Sequence, residues 1–539
     1  MYSETLQCAT ETPLPSHFLP SKLQPSSLKR FHAPMSIVSW GQDFRSLADR
    51  YGSRRGVVTS QAEATYAEIL GRAAALANCL HAHGVSPGEP VATFLENTIA
   101  AVWASYGVTL SGAAETPLNA GLSPAELERC LKLLTIRCVI TDARSSGLFM
   151  KLGYHVFIVE EVPTELRSID RHQSVDGNAW GKIIFTSGTT GFPKGIVHSH
   201  RRRWLANVLL RAHLPFTPDA TSRILLMTPF SHGASLLTYA FLDHGASIHL
   251  MNGVQVDAVR ELLEGGSLNA IFAPPTVLAK LVAALQGRRF DGIRTIFCGT
   301  STLTPQIYGA TKAIFGPVVR VTYGMSEMFN PITVLPPADT DHAYAHPLRG
   351  GTSLGWPASG VEVKIAAEKV ADNGEIYIRG AHQMIGYVDQ AGFHPLRDGD
   401  WHATGDIGFF AESGELHFVG RAHDVIKSGG YKVFPQEIEQ VLGPAVVPGQ
   451  IAVVGMPSTY WGEVIVAVAE GTSDDWMERA GMAAEVLTKH KRPRAYVVLP
   501  SLPRGAQDKL QRGKIVEQLQ KSYRLEDGPQ PKMLAKRSQ

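Results

Sequence analysis

Apolar and polar positions alternate between two periods along the first third of the chain. Phe44, Leu47, Ala48 and Tyr51 recur at helical spacing. Thr65-Tyr66-Ala67-Glu68-Ile69 then leads into an alanine-rich helix ending near His83-Gly84. Residues 91–95 read as a strand, 99–110 as an apolar helix, 122–134 as another helix and 138–141 as a short buried strand. Strand signals return at 224–228, 270–276 and 293–301. Strand and helix in alternation predict parallel sheets covered by helices, an α/β fold.

The pattern changes after residue 350. Residues 350–360 read as a loop, and 361–365 and 374–379 as strands of a smaller sheet. A further α+β pattern closes the chain: strands at 451–454, 464–469 and 495–499, with a helix at 480–487. At 539 residues the chain exceeds what one core supports, so at least two domains are expected. The expected division is a disordered tail over 1–36, a large domain over 37–420, a small mobile domain over 421–525 and a loose tail over 526–539. Pro13, Pro15, Pro20, Pro25 and Pro34 among serines carry the first expectation.

Composition removes several function classes. Lys and Arg total 51 against 49 Asp and Glu, a net charge of +2, which gives no electrostatic case for nucleic acid or an anionic membrane. No run of about 18 apolar residues occurs, so no membrane span is expected. Five scattered cysteines without a CxxC pair fit a reducing, cytoplasmic compartment.

The chemistry gathers around residues 183–195, IIFTSGTTGFPKG. Three apolar residues end a strand, and Thr186, Ser187, Gly188, Thr189, Thr190 and Gly191 follow. Glycines let backbone N–H groups approach an anion, hydroxyls add donors, and Lys194 adds a point charge suited to phosphate. The stretch reads as a phosphate cradle. It is not a Walker loop, because Phe192 and Pro193 separate Gly191 from Lys194. The basic run Arg201-Arg202-Arg203 just beyond reads as a solvated helix start.

The order [ST]-S-G-[ST]-[ST]-G-x-P-K-G resembles the phosphate loop of the adenylate-forming superfamily, which holds acyl-CoA synthetases, adenylation domains and luciferases. Further motifs extend the resemblance over about residues 40–520. Val321-Thr322-Tyr323-Gly324-Met325-Ser326-Glu327 resembles YGxTE, with Ser326 in place of Thr. Trp401–Asp406 resembles the ribose site. Residues 420–439 resemble GRxxDxIKxxGxxVxPxEIE, with His423 at the hinge position, and 502–512 resemble the catalytic-lysine segment, with Asp508 where Gly is usual.

The resemblance implies site roles. Gly299, Thr300 and Ser301, with Tyr323, Gly324, Met325 and Ser326, would hold adenine. Asp406 would accept both ribose hydroxyls, and Arg421 would contact the nucleotide. Glu327 would hold Mg²⁺, Lys509 would serve adenylation and Lys427 the thioester step. His232 would face the acyl pocket, and Gly429 and Gly430 would line a channel for pantetheine.

The implied enzyme is an AMP-forming acid–thiol ligase. It would use ATP, Mg²⁺ and a small-molecule carboxylic acid, with CoA as co-substrate, and act as a monomer or dimer. No acidic residue occurs from Phe230 to Tyr239 to receive an α-ammonium. The apolar candidate pocket residues favour a fatty or aromatic acid over a charged one. An acyl carrier protein or an amine as acceptor stays open, as does a catalytically weak binding protein on the same fold.

Overall fold

The computed structural model describes residues 37–163, 169–170, 173–187, 193–348, 350–367, 373–447, 449–505 and 510–536. The tail over 1–36 lies outside them.

The alanine-rich segment forms the helix Tyr66–Ala82. Thr65 and Glu68 close its N-terminus as a capping box, satisfying two orphan backbone donors reciprocally. It packs on the apolar helix Ile99–Ser111, where small residues bring the backbones together. A Cβ on Gly107 would meet the Ala73 carbonyl at 2.9 Å. Both helices are buried nearly all round because they form a middle layer. One hydrophobic core joins them to Val91, Cys138 and Ile140 of one sheet and to Ile224, Leu226 and Phe272 of another.

The first of these sheets has eight strands, and its central ones are parallel, as the pattern predicts. The strand Trp180–Ser187 pairs with Ala114–Pro117 and turns back antiparallel into Pro193–Ser199. The second sheet has thirteen strands. Its parallel part runs through Arg223–Leu226, Ala270–Phe272, Thr295–Cys298 and Val319–Met325.

The smaller sheet expected after residue 350 forms the far end of this one. Residues 350–360, read as a loop, contain the strand Thr352–Pro357, which pairs with Met328–Leu335 and so joins the two parts. Four glycines in that stretch, Gly350, Gly351, Gly355 and Gly360, hid its strand pattern.

A buried ionic cluster locks the layers. Glu115 receives Arg203 at 2.8 Å and Lys182 at 3.3 Å, and Ser105 donates to it at 2.6 Å. Burial opposes ionisation of Glu115, but the two cations more than offset it and hold the carboxyl below its usual range. The basic run is therefore not a solvated helix start. Arg202 and Arg203 are both buried, Arg202 donating to the carbonyls of Gln383 and Met384 and pairing with Asp398.

The strands Ile426–Ser428, Tyr431–Val433, Gln450–Ser458, Gly462–Glu470 and Ala495–Val498 form a five-stranded sheet. Separate apolar clusters cover its two faces. The segment 526–539, expected as a loose tail, is built in as far as Lys536. Tyr523–Glu526 pairs with Lys532–Ala535, and Asp527 at the turn accepts from Ser458 and Thr459. Those hydroxyls lie about 70 residues upstream of the carboxylate, a non-local satisfaction that composition does not reveal.

Candidate active site

The strand Val319–Met325 carries the centre of the site. Valines at 319 and 321 pack on one core, while Arg320 and Thr322 face the other way. Tyr323 then emerges half-buried beyond the last parallel pairing, where open α/β sheets bind ligands. Its hydroxyl donates to Asp406 Oδ2 at 2.6 Å. Burial, and then the Asp406 charge, push the Tyr323 phenol well above its ordinary pKa. Asp406 is itself buried, and Arg421 lies 3.3 Å from its other oxygen. Tyr323 thus joins Asp406 and Arg421, partners across one antiparallel strand pair, in one array: an aromatic ring, a buried carboxylate and an exposed guanidinium.

Glycines flank the array where side chains would not fit. A Cβ on Gly299 would meet the Thr322 carbonyl at 2.7 Å, and one on Gly324 would fall on Asn330 Oδ1. Thr300 adopts φ 71°, an uncommon conformation for a β-branched residue, and Ser301 beside it is exposed. At both glycines the space a side chain would take is already filled by neighbouring backbone or by Asn330.

Met325 ends its strand, and Ser326 and Glu327 form the turn into the next one. His198 Nε2 donates to the Ser326 carbonyl at 2.8 Å, and the Glu327 carbonyl accepts from Met384 at 2.7 Å. Both bonds fix the turn and leave the Glu327 carboxylate half-exposed. Its charge acts on His402, whose imidazole burial shifts below its usual pKa. One carboxylate suits Mg²⁺, which commonly takes one or two protein carboxylates and completes its shell from phosphate and water. Among the described residues no group of three or more metal-binding side chains occurs.

Thr186 pairs across the hairpin with Lys194, whose ammonium lies over the Tyr387 ring at 4.9 Å. Gly188, Thr189, Thr190 and Gly191 lie outside the described residues, as do Lys509 and Asp508. Ser187 ends its strand, and His232 sits in the π-helical turn Phe230–Ala234. That turn lies on Phe272: a Cβ on Gly233 would meet its ring at 3.3 Å.

Lys427 is exposed on the five-stranded sheet, and its backbone N–H donates to Glu463 at 2.6 Å. Gly429 and Gly430 take φ 58° and 84° in the turn between two strands of that sheet. The turn itself requires glycine there. Arg512, at the start of the helix Arg512–Ser522, bonds Asp424 at 2.9 Å and Glu439 at 2.7 Å, tying the segment after His423 to that helix.

Tyr323, Asp406 and Arg421 thus meet at the carboxyl end of a parallel sheet, the place where open α/β folds hold a ligand. The model of the AMP-binding enzyme family matches residues 44–388, and the chain belongs to that family. It is 29% identical over 461 residues to the 2-succinylbenzoate–CoA ligase of Listeria monocytogenes, covering 84% of this chain and 94% of that one. It is 28% identical to the 4-chlorobenzoate–CoA ligase of an Arthrobacter species, covering 84% and 90%. Among solved structures, o-succinylbenzoate CoA synthetase from Bacillus subtilis, in complex with the acyl-adenylate intermediate OSB-AMP, superposes with a TM-score of 0.78. The identity there is 25%, over 89% of this chain and 98% of that one.

Sequence reasoning missed the buried charges at Glu115, Lys182, Arg203 and Arg320. Arg203 and Lys182 hold Glu115, and Arg320 stands alone on its strand. The available signal is a charge inside an otherwise apolar strand, as in Val-Val-Arg-Val and Gly-Lys-Ile-Ile.

Proposed function

We infer that the protein is an AMP-forming acid–thiol ligase. It activates a carboxylic acid with ATP to acyl-AMP and pyrophosphate, then transfers the acyl group to CoA. The observation that carries this reading is the Tyr323–Asp406–Arg421 array at the carboxyl end of the parallel strands. The ring stacks on adenine, the carboxylate accepts the ribose hydroxyls and the guanidinium faces the nucleotide. Tyr323 holds one oxygen of Asp406, which fixes the diol acceptor before the nucleotide arrives.

Attack of the acid on the α-phosphate crowds negative charge, so catalysis rests on positioning and electrostatic stabilisation. Glu327 would hold Mg²⁺, which supplies positive charge next to the phosphates when bound. Thr186 and Lys194 support the β and γ phosphates from the hairpin. Lys509 is proposed to neutralise the α-phosphate and Lys427 to act in the thioester step.

The proposed organisation is a body over 37–420 and a mobile domain over 421–525, hinged at His423. The separate cores of the five-stranded sheet support this. The acid is aromatic or fatty, in line with the apolar face formed by Phe230, Phe272 and Phe297. No helix among the described residues is long and apolar enough to cross a membrane. A cytoplasmic location is supported by four free thiols among those residues. Monomer or dimer is proposed as the assembly.

Acid-dependent ATP–pyrophosphate exchange across a carboxylate panel tests the first step. Thioester formation with CoA, with holo carrier protein and with an amine tests the acceptor. Exchange without CoA thioester would transfer the assignment to a carrier- or amine-directed enzyme. No exchange with any acid would leave a binding protein on this fold.

A further inference from the structure

After the helix Arg512–Ser522 the chain forms a small antiparallel hairpin, Tyr523–Glu526 with Lys532–Ala535. Two strands alone are marginally stable in water, so contacts with the five-stranded sheet decide where the hairpin sits. Tyr523, Leu525 and Met533 pack with Trp461 against one apolar cluster of that sheet. Asp527, at the turn, makes a more specific attachment. Ser458 Oγ donates to its Oδ1 at 2.7 Å. Thr459 donates to its Oδ2 through both hydroxyl and N–H at 2.6 Å, and the Tyr460 N–H adds a bond at 3.3 Å. Every partner here is a donor, which suits an ionised carboxylate, an acceptor only. The Thr459 and Ser458 hydroxyls hold the Asp527 carboxyl well below the usual carboxylate range.

The turn that Asp527 grips lies against the Gly429–Gly430 turn beside Lys427. Ser458 Oγ also accepts from the Trp461 N–H at 2.8 Å, which closes the gripped turn. The Trp461 indole N–H donates to the Gly528 carbonyl at 2.9 Å, so the hairpin holds the ring as well as the backbone. Arg494 covers that ring, its guanidinium carbon 3.7 Å from the centroid. The Trp461 carbonyl accepts from the Gly429 N–H at 2.8 Å, and a Cβ on Gly429 would meet the indole at 3.0 Å. The next two residues continue the contact: Gly462 pairs with Ser428, and Glu463 accepts from the Lys427 N–H at 2.6 Å. Half-buried Trp461 is thus a wedge, its indole N–H bound to the hairpin and its ring and carbonyl set against Gly429.

We propose that the hairpin Tyr523–Ala535 is a positioning element for the thioester step, and that Asp527 sets the Gly429–Gly430 turn and Lys427 through Trp461. The proposal rests on the adenylating function and on the assignment of that turn to the reaction with CoA. Holding a loop in its working conformation beforehand lowers the ordering cost when a substrate binds. Asp527 acts at one end of the sheet only. Its partner Ser458 pairs with Gly462, the first residue of the strand Gly462–Glu470. Arg504, in the segment before Lys509, binds Glu470 at the other end. The hairpin therefore serves the face of Lys427 and leaves the adenylation face to other contacts.

The test separates the half-reactions in the full-length chain. The acid is whichever of benzoic, phenylacetic, octanoic and palmitic acids gives the fastest ATP–pyrophosphate exchange, and its acyl-AMP is supplied for the second step. Asp527→Ala should leave exchange and the KM for ATP at wild-type values. Its kcat/KM for CoA in thioester formation should fall about tenfold, the scale of a slight misplacement of reacting groups. Asp527→Asn keeps the size and one acceptor oxygen, so its loss should be intermediate. A hairpin that only stabilised the fold would lower both half-reactions together, and that result overturns the proposal. So does an Asp527→Ala variant with a wild-type kcat/KM for CoA, which leaves the adenylating function standing.

If Asp527→Ala does not fold, Thr459→Val replaces it. Valine removes the hydroxyl that reaches Asp527 and keeps the backbone N–H. The kcat/KM for CoA should then fall about threefold, the scale of one hydrogen bond, with exchange unchanged. A wild-type kcat/KM for CoA in that variant overturns the proposal. If none of the acids supports exchange in the wild type, the adenylating function fails and the role of the hairpin falls with it.

Discussion

Tyr323 and Asp406 are 83 residues apart in sequence, yet the phenol donates to the carboxylate at 2.6 Å across the candidate nucleotide site. The bond orients the residue proposed to receive ribose. Tyr323→Phe keeps the ring and removes the donor. A hydrogen bond to a charged group contributes about 1.5–3 kcal/mol. The expected result is a KM for ATP raised about tenfold, with a smaller change in kcat. Asp406→Asn should do more, because it weakens the diol acceptor and the Arg421 pair together. Steady-state kinetics at saturating acid check both, and an unchanged KM in Tyr323→Phe would remove the bond from the recognition of ATP.

Gly324 illustrates a different constraint. A side chain there has no room, since its first carbon would coincide with the Asn330 amide oxygen. Gly324→Ala must displace either its own strand or Asn330. Adenylation is expected to fall at least about tenfold, as small misplacements cost that much in positioned reactions. Asn330→Ala opens the space. The double variant should regain part of what Gly324→Ala loses, a coupling between neighbours that a double-mutant cycle measures. Strict additivity would locate the damage elsewhere.

How much of this could be read from the chain follows from what each feature depends on. The helix over Tyr66–Ala82 and the parallel strands were legible because local period and caps specify them. Tyr323 and Asp406 were singled out through their resemblance to family motifs, and the structure brings them together in one array. The burial of Arg202 and Arg203 was not, because a basic run looks the same on a surface and around a distant Glu115 and Asp398. The hairpin after residue 522 was hidden for the same reason: Asp527 finds its donors in another part of the sheet. Long-range pairing of polar groups leaves no local period.

Asp243 predicts a pH dependence. It ends the helix Ser235–Leu242, where burial raises its carboxyl pKa to about 6 despite Arg211 at 3.1 Å and a bond from Asn207 at 2.7 Å. The folded pKa thus exceeds the unfolded one, so between about pH 4 and 6 the folded state binds more protons. Stability falls as pH rises through that window, and the cost is fully present above it. Asp243→Asn removes the titration. At pH 7 the variant should be more stable than wild type by about 2–3 kcal/mol, less whatever the Arg211 pair contributes. Below pH 4 that advantage should vanish. Denaturant melts of both proteins from pH 4 to 7.5 provide the check, and a difference independent of pH would contradict it.

The five-stranded sheet predicts a division of labour between two lysines. Lys427 precedes Ser428, which pairs with Gly462 at one end of the strand Gly462–Glu470. Glu470, at the other end, receives Arg504, which bridges to Leu510, the residue after Lys509. Eight residues of antiparallel strand separate those ends, about 27 Å at 3.4 Å per residue. One orientation of the sheet therefore cannot bring Lys427 and Leu510 to the same phosphate. A cation assists the step in whose transition state charge gathers near it. Lys509→Ala should cut acyl-AMP formation by about 10²-fold or more, on the scale of one lost transition-state donor. It should still convert supplied acyl-AMP to thioester. Lys427→Ala should spare the first half-reaction and slow the second. Single-turnover assays of each half-reaction separate the outcomes. Adenylation at the wild-type rate in Lys509→Ala would transfer the role to another cation near the α-phosphate. Equal loss of both steps in either variant would mean that the sheet does not turn between them.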